Sequence, residues 1–444
     1  MELTIRAARI GESRRHRLQK LFVIAGLFCL VYNPPLIKVS VMHLVGLLSI
    51  VYLLIRFGRT AAMIRSLRIG GVVLGVILWL CYLIWAVVLL NAEDWMFTIV
   101  PLYFLVDVVP FGMALRILFE DNGWSSDDFI DMVVITAVIH ALLALAAFLS
   151  SDIQSFFVSK FLDYGYDDVI VGMSAHRFYG FASWLSFDMP IMQTILALLV
   201  IHPSRKAKLS NYIIATLLFF SAIINARNAI VIAVIGFFTM IVLDRWPLRK
   251  RLRYAVALAV FIAAALAILL PAIRSLAPST YRWIATGFGE ILEFLFEGSE
   301  GVASSSYFDY ILTPDLYRFP EGLTGILFGA GHPTMGMRER YGYSSDIGYT
   351  NDIWRGGIVY MILLYLFFAA LMWALRKHPN PRISFLGTFL LISYPFINIK
   401  GNAVATNEFS YFLFLVYLVA AGEHRTGTEQ TCISSQSHDG SGGR

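Results

Sequence analysis

The chain has 444 residues, 58% hydrophobic and 15% charged, with a mean hydropathy of +0.69, more apolar than a water-soluble domain of this length requires. Apolar runs near the ~20 residues that cross ~30 Å of hydrocarbon recur along its whole length, which excludes a soluble enzyme on a single tether. The formal charge of +5 would suit nucleic acid, but the basic residues fall between apolar runs and read as orientation signals, so no nucleic-acid partner is expected.

In chain order, Arg6, Arg9, Arg14, Arg15, Arg17 and Lys20 precede the run Leu21 to Tyr32. No small-residue cleavage site follows, and Asn33, Pro34 and Pro35 lead almost at once to a second run, so the first reads as a retained helix. Further spans are expected at Val39 to Ile55, Gly70 to Leu90, Met96 to Leu118, Met132 to Leu149 and Met189 to Ile201. The second half offers Tyr212 to Ile224, Ala229 to Leu243, Tyr254 to Leu270, Ile358 to Leu375, Ile383 to Ile397 and Ser410 to Ala421. The fold class is thus an all-α polytopic membrane protein of about 12 transmembrane helices.

Short loops rich in Lys and Arg stay in the cytoplasm. The N-terminus, the loop with Arg56, Arg59, Arg65 and Arg68, the loop with Arg205, Lys206 and Lys208, the run Arg245 to Arg253, and Arg376 to Arg382 all alternate onto one side. Both termini are therefore expected in the cytoplasm, and the chain in a bacterial inner membrane. The acidic turn with Glu120, Asp121, Asp127, Asp128 and Asp131 reads as a solvated cytoplasmic connection. The organisation is a cytoplasmic N-terminus at 1–20, nine helices over 21–270 with a periplasmic loop at 150–188, a large periplasmic loop at 271–357, three helices over 358–421, and a disordered tail at 422–444. Within the large loop, Tyr281 to Glu297 has helical spacing suited to a membrane surface.

Cys29, Cys81 and Cys432 are far apart and suggest neither a disulfide framework nor a zinc site. There is no His-Glu-x-x-His, Asp-x-Asp or Cys/His cluster, so neither a metal nor a cofactor is expected. Arg227, at the apex of a tight extracytoplasmic hairpin, is either an interfacial anchor or an anion site. His176, Arg177 and Gly180 stand before another span, ordinary loop residues or partners of Arg227. Two converging guanidinium groups suit a pyrophosphate, since each donates in pairs. Phe328, Gly329, Gly331 and His332 form a glycine-rich turn that lacks the ending of a P-loop, and His332 is a candidate general base. The run from Ser345 to Gly357 carries Asp346, Asp352 and Arg355 at the membrane edge, where capping and anchoring are the alternative roles. His140, in mid-span, is read as a helix-to-helix hydrogen-bonding residue rather than a proton relay.

Taken in order, these residues resemble the O-antigen polymerase and ligase superfamily, membrane glycosyltransferases that use polyprenyl-pyrophosphate-linked sugars. The resemblance rests on Arg177 with Gly180, Ala226-Arg227, the large late loop, the Phe328-Gly329-x-Gly331 turn, and Ser345-Asp346 followed by nine residues and Gly356. Where the ligase branch carries a catalytic His, this chain has Ser345, and Ser-Asp-x-Gly-Tyr looks like the polymerase branch. The resemblance implies a GT-C-like architecture and polymerisation of undecaprenyl-pyrophosphate-linked oligosaccharide repeat units at the periplasmic face. It implies His332 or Asp346 as base, Arg177, Arg227, Arg338 and Arg355 on the pyrophosphate, and Tyr341, Tyr343 and Tyr349 against sugar rings. Membrane lipids, a chain-length regulator and a flippase are the implied partners. The competing readings are ligation of finished glycan to lipid A core, transport of lipid-linked sugar, and a structural role in an envelope complex.

Overall fold

The computed structural model describes residues 2–35, 40–90, 95, 98–163, 177–182, 188–206, 208–226, 228–243, 249, 256, 267, 271, 273–276, 278–282, 285–286, 289, 313–332, 334, 345, 347–399 and 408–421. Every regular element of more than a single bridge among them is helical. The first half contains α1 (Glu2–Tyr32), α2 (Val41–Ile55), α3 (Phe57–Ile64), α4 (Leu67–Leu89), α5 (Ile99–Asn122), α6 (Ser126–Leu149) and α7 (Ser151–Asp163). The second contains α8 (Asp188–Val200), α9 (Leu209–Ile223), α10 (Asn228–Phe238, continued by a π-turn at Thr239–Leu243), α11 (Gly322–Phe328), α12 (Gly348–Arg376), α13 (Pro381–Ile397) and α14 (Glu408–Ala420). Among the described residues, α4, α5, α6 and α12 are long and apolar enough to cross a membrane. A fifth span results if α2 and α3, bent by 100°, count as one, and α8, α9, α10, α13 and α14 are shorter apolar helices.

Local chemistry sets the helix ends. Ser125 and Asp128 form a reciprocal capping box that starts α6, ahead of the apolar run at Met132. Gly123, with φ 63°, closes α5 in the left-handed conformation that a residue without Cβ adopts at least cost. Pro381 at the first position of α13 follows the Asn380 cap, whose side chain accepts from the Arg382 N–H at 2.9 Å.

One end of the bundle is gathered by charge. Asp128 pairs with Lys20 at 3.2 Å, Asp121 with Arg56 and Arg59, and Asp131 with Arg205 at 2.9 Å. Arg382, almost wholly buried, reaches Asp127 at 2.9 Å and Asp131 at 3.1 Å. The acidic turn between α5 and α6 is therefore the counter-charge for basic loops from across the chain, rather than a simple solvated connection. Four of the five basic segments that the Lys and Arg alternation assigns to one side are thus brought by ion pairs to a common end, here called the basic end, while the run Arg245 to Arg253 lies almost wholly outside the described residues.

Helices α8 and α14 are buried on all sides and form the centre, with α14 packed on α1, α5, α6, α8 and α12. By contrast, Leu47, Leu48 and Leu54 of α2, Leu74 and Leu78 of α4, and Leu363 and Leu366 of α12 are exposed apolar side chains on the outside of the bundle. An outer face of this kind is what hydrocarbon covers.

The last long span differs from expectation at its start. A helix beginning at Ile358 is predicted, but α12 starts at Gly348 and is broken at Gly357, whose φ of 77° and ψ of −178° are non-helical. The polar run before Ile358 is thus a helical segment of its own. The expected span Tyr254 to Leu270, the surface helix Tyr281 to Glu297 and the tail from 422 lie largely or wholly outside the described residues. Replacing Arg382 with Ala removes two charge-assisted contacts whose partners are partly exposed, so a loss of about 2 kcal/mol is expected. Denaturant titration of the detergent-extracted protein checks this, and an unchanged midpoint would contradict it.

Candidate functional site

The end opposite the basic loops carries two polar clusters. The first is built on the break in α12. A Cβ at Gly329 would lie 2.7 Å from the backbone nitrogens of Gly356 and Gly357, and a Cβ at Gly357 would strike the Leu327 carbonyl. Both glycines have positive φ, so the glycine-rich turn and the break fit together because neither has a side chain at the contact. The backbone groups freed by the break find partners: Gly356 O accepts from the Tyr82 hydroxyl at 2.7 Å, and Trp354 O accepts from the Ala330 N–H at 2.6 Å.

Further bonds seat this loop. Asn351 donates to Ser345 O and Ile347 O and accepts from the Thr334 N–H at 2.9 Å. The Ser345 hydroxyl donates to Leu316 O at 2.8 Å and accepts from the Ile347 N–H at 3.1 Å. Both the donor and an acceptor position of the Ser345 hydroxyl are thus spent on the backbone.

Under the loop, Asp352 is fully buried and shared among three partners. Its Oδ2 accepts from the Tyr365 hydroxyl at 3.0 Å and from Asn398 Nδ2 at 3.2 Å, and its Oδ1 lies 3.3 Å from Arg355 Nη1. These contacts tie the segment before the break to the one after it and to the end of α13. With little water present, such a paired and hydrogen-bonded charge is held firmly, and removal of one partner is costly.

The second cluster surrounds the segment 177–182. Asn225, between α9 and α10, accepts from the Phe178 N–H at 2.7 Å and donates to Phe178 O at 3.1 Å. One side-chain amide thus fixes both backbone groups of the residue after Arg177. Arg177 Nη1 donates to the Tyr179 hydroxyl at 2.7 Å, and Gln154 holds Arg177 O at 3.0 Å. Burial pushes the Tyr179 phenol above its ordinary value, against the pull of the Arg177 guanidinium that bonds it, and the charge of Glu408 adds to the rise.

His140 lies beneath this segment, stacked on Tyr32 at 4.1 Å between ring centroids. Its Nε2 is 2.8 Å from Tyr179 O, and a carbonyl only accepts, so Nε2 carries the proton. Nδ1 then accepts from Gln193 Nε2 at 3.1 Å. Both ring nitrogens are occupied, as the helix-to-helix reading of His140 expects.

Of the residues singled out from sequence, His332, Tyr349 and Arg355 come together around the start of α12. His332 is buried against Trp354, 5.6 Å between rings, and Tyr349 stacks on Tyr365 while donating to Pro395 O at 2.8 Å. A tyrosine held in this way is a wall of the loop seat. Arg177 belongs to the other cluster. Arg227, Arg338, Asp346, Tyr341 and Tyr343 lie outside the described residues, as does His176.

Sequence reasoning passed over Glu408, Asp188, Gln193, Asn225 and Asn398. Glu408 and Asp188 each carry a readable sign, an acidic residue at the head of an apolar run, whereas the amides have none. Among the described residues no group of three or more His, Cys, Asp or Glu is arranged to hold a metal ion. In comparison with known proteins, no family model matches the chain and no curated protein matches it.

Asp352→Ala is expected to lower stability by about 3 to 5 kcal/mol, since it strips Arg355 of a buried counter-charge. Adding Arg355→Met should restore part of that loss, because the two changes act on one network. Unfolding midpoints of the single and double variants measure the coupling, and simple additivity would contradict it.

Proposed function

We propose that this chain is a membrane glycosyltransferase that polymerises undecaprenyl-pyrophosphate-linked repeat units into exopolysaccharide or O-antigen. The observation that carries the reading is the Asn225 clamp, which binds the Arg177 segment to the hairpin continuing into Arg227. Two guanidinium groups at one face would suit a diphosphate leaving group, because their paired donors match its oxygens. Charge that develops on the pyrophosphate as the glycosidic bond breaks would be stabilised by such cations. Arg355, held by Asp352 at the same end, and Arg338 are the assisting cations in this reading.

The finer architecture belongs to the same proposal: about 12 spans, GT-C-like, in the bacterial inner membrane, with both termini and the basic end in the cytoplasm. Lys20, Arg56, Arg59, Arg205 and Arg382, ion-paired at one end, support that orientation. A chain-length regulator and a flippase would be its partners. Ligation to lipid A core uses a similar donor, and a deletion strain distinguishes the two. Loss of a polymerase leaves single repeat units on the core, and loss of a ligase strands long polymer on its lipid.

A second reading, transport of a lipid-linked sugar, is favoured by one observation. Asp107, fully buried at a π-turn (Phe104–Val108) inside α5, pairs with His43 at 2.8 Å, and its Oδ1 has no partner among the described residues. Ionisable residues at irregular points of a span mark ion and proton pathways in transporters. Polymer made by purified protein in liposomes supplied with external lipid-linked repeat units would exclude transport alone.

Arg177→Ala and Arg227→Ala are each expected to cut polymer synthesis by about 100-fold or more, the scale set by the loss of one preorganised donor. The variants should remain inserted while lipid-linked single repeat units accumulate. Polymer of normal amount and length in both variants would contradict the assignment.

A further inference from the structure

Glu408 opens α14 at the end that carries Arg177, and its side chain is fully buried. Neither carboxylate oxygen has a hydrogen-bond partner from another residue among the described ones. Gln193, one helix away on α8, spends its Nε2 on His140, and its Oε1 is likewise buried and unfilled. The Tyr32 hydroxyl faces the Gln193 amide and lies within electrostatic reach of Glu408, as Tyr179 and Asp188 do. Buried acceptors left without donors are costly and uncommon, so three in one cluster point to a ligand that brings hydrogens.

The chemistry of the cluster narrows that ligand. A multivalent metal ion would be expected to recruit more acidic or imidazole ligands than are grouped here. A sugar hydroxyl supplies a donor to a carboxylate or amide oxygen and accepts in turn from a phenol such as Tyr32. Tyr179 joins the cluster to the proposed diphosphate site, since its hydroxyl already accepts from Arg177.

We infer that Glu408 is the general base of the polymerisation, taking the proton of the acceptor sugar hydroxyl in a buried site formed with Gln193, Asp188 and Tyr32. The inference rests on the polymerase reading. In the step, the acceptor O–H gives its proton to a Glu408 oxygen while the oxygen bonds to the donor's anomeric carbon. The bond from that carbon to the pyrophosphate oxygen breaks, and its electron pair leaves with undecaprenyl pyrophosphate beside Arg177. Glu408 then returns the proton to solvent. Because the carboxyl group is fully buried, acceptor binding must open this end of the bundle, and the cost is offset as the unfilled acceptors gain donors. His332, packed on Trp354 in the loop seat, then serves structure rather than proton transfer.

The test uses the full-length protein in liposomes with lipid-linked repeat units, and binding of undecaprenyl pyrophosphate is measured separately. Glu408→Gln, which keeps the shape, should lower kcat by at least ~100-fold while pyrophosphate-lipid binding stays within about twofold of wild type. Arg177→Ala should weaken that binding. A Glu408→Gln protein that polymerises within about threefold of the wild-type rate would overturn the inference and leave the polymerase reading standing. If Glu408→Gln fails to fold, Glu408→Asp is read instead: a carboxylate drawn back by one methylene should cost at least ~10-fold in kcat. A wild-type rate in that variant also overturns the assignment, and weakened lipid binding in either folded variant marks Glu408 as structural and does the same. Wild-type protein that is folded and binds the lipid but makes no polymer counts against the polymerase reading itself.

Discussion

One side-chain amide holds the far end together. Asn225 closes on the N–H and the carbonyl of Phe178, so a segment 47 residues earlier in the chain is fixed to the hairpin between α9 and α10. Neither segment has regular structure that would fix its own position. The clamp acts with the bonds of Gln154 to Arg177 O and of His140 to Tyr179 O, and with the packing of Phe178 on Phe148, to place the Arg177 guanidinium and the Tyr179 hydroxyl. In a site with little water, two hydrogen bonds to backbone groups are harder to replace than on a surface, since the alternative is unfilled polar atoms.

The same economy governs the loop on α12. A broken helix within a membrane protein is tolerated only when its freed backbone groups are satisfied, and Tyr82 and Ala330 do this at Gly356 and Trp354. Gly357 makes the break possible and Gly329 lets the turn approach it. Asp352 then bridges the two halves through Tyr365. In the first cluster both capacities of the Ser345 hydroxyl and both oxygens of Asp352 are used. In the second cluster Arg177, Tyr179 and His140 have partners, whereas the oxygens of Glu408 and the Gln193 Oε1 have none from another residue among the described ones.

The apolar runs of the sequence located α4, α5, α6 and α8 to within a few residues, because hydrophobic length is a property of the chain alone. Their first turns were less legible. Ser125 and Asp128 draw α6 back beyond the apolar boundary, and the polar segment before Gly357 is helical because Asn351 and Asp352 find partners in the loop and on α13. The charges of the acidic turn were readable, but not that Asp131 serves both Arg205 and Arg382, since those arginines lie far along the chain. Arg177 stood out as a cation before a span, placed in the sequence where it could join Arg227 in binding an anion. Asn225 and Gln193 did not, because neutral amides are unremarkable until their partners are known. Glu408 and Asp188 were visible as acids heading apolar runs, yet only the packing of α14 against α8 makes them neighbours.

The account depends on the Arg177 segment and the Arg227 hairpin sharing the outer face. A chain with Cys29, Cys81 and Cys432 replaced, carrying a single cysteine at 177 or at 227, can be treated in intact spheroplasts with a membrane-impermeant maleimide. Both positions are expected to react from outside, before lysis. Modification of one from outside and of the other only after lysis would separate the two guanidinium groups by the bilayer and contradict the proposed diphosphate site.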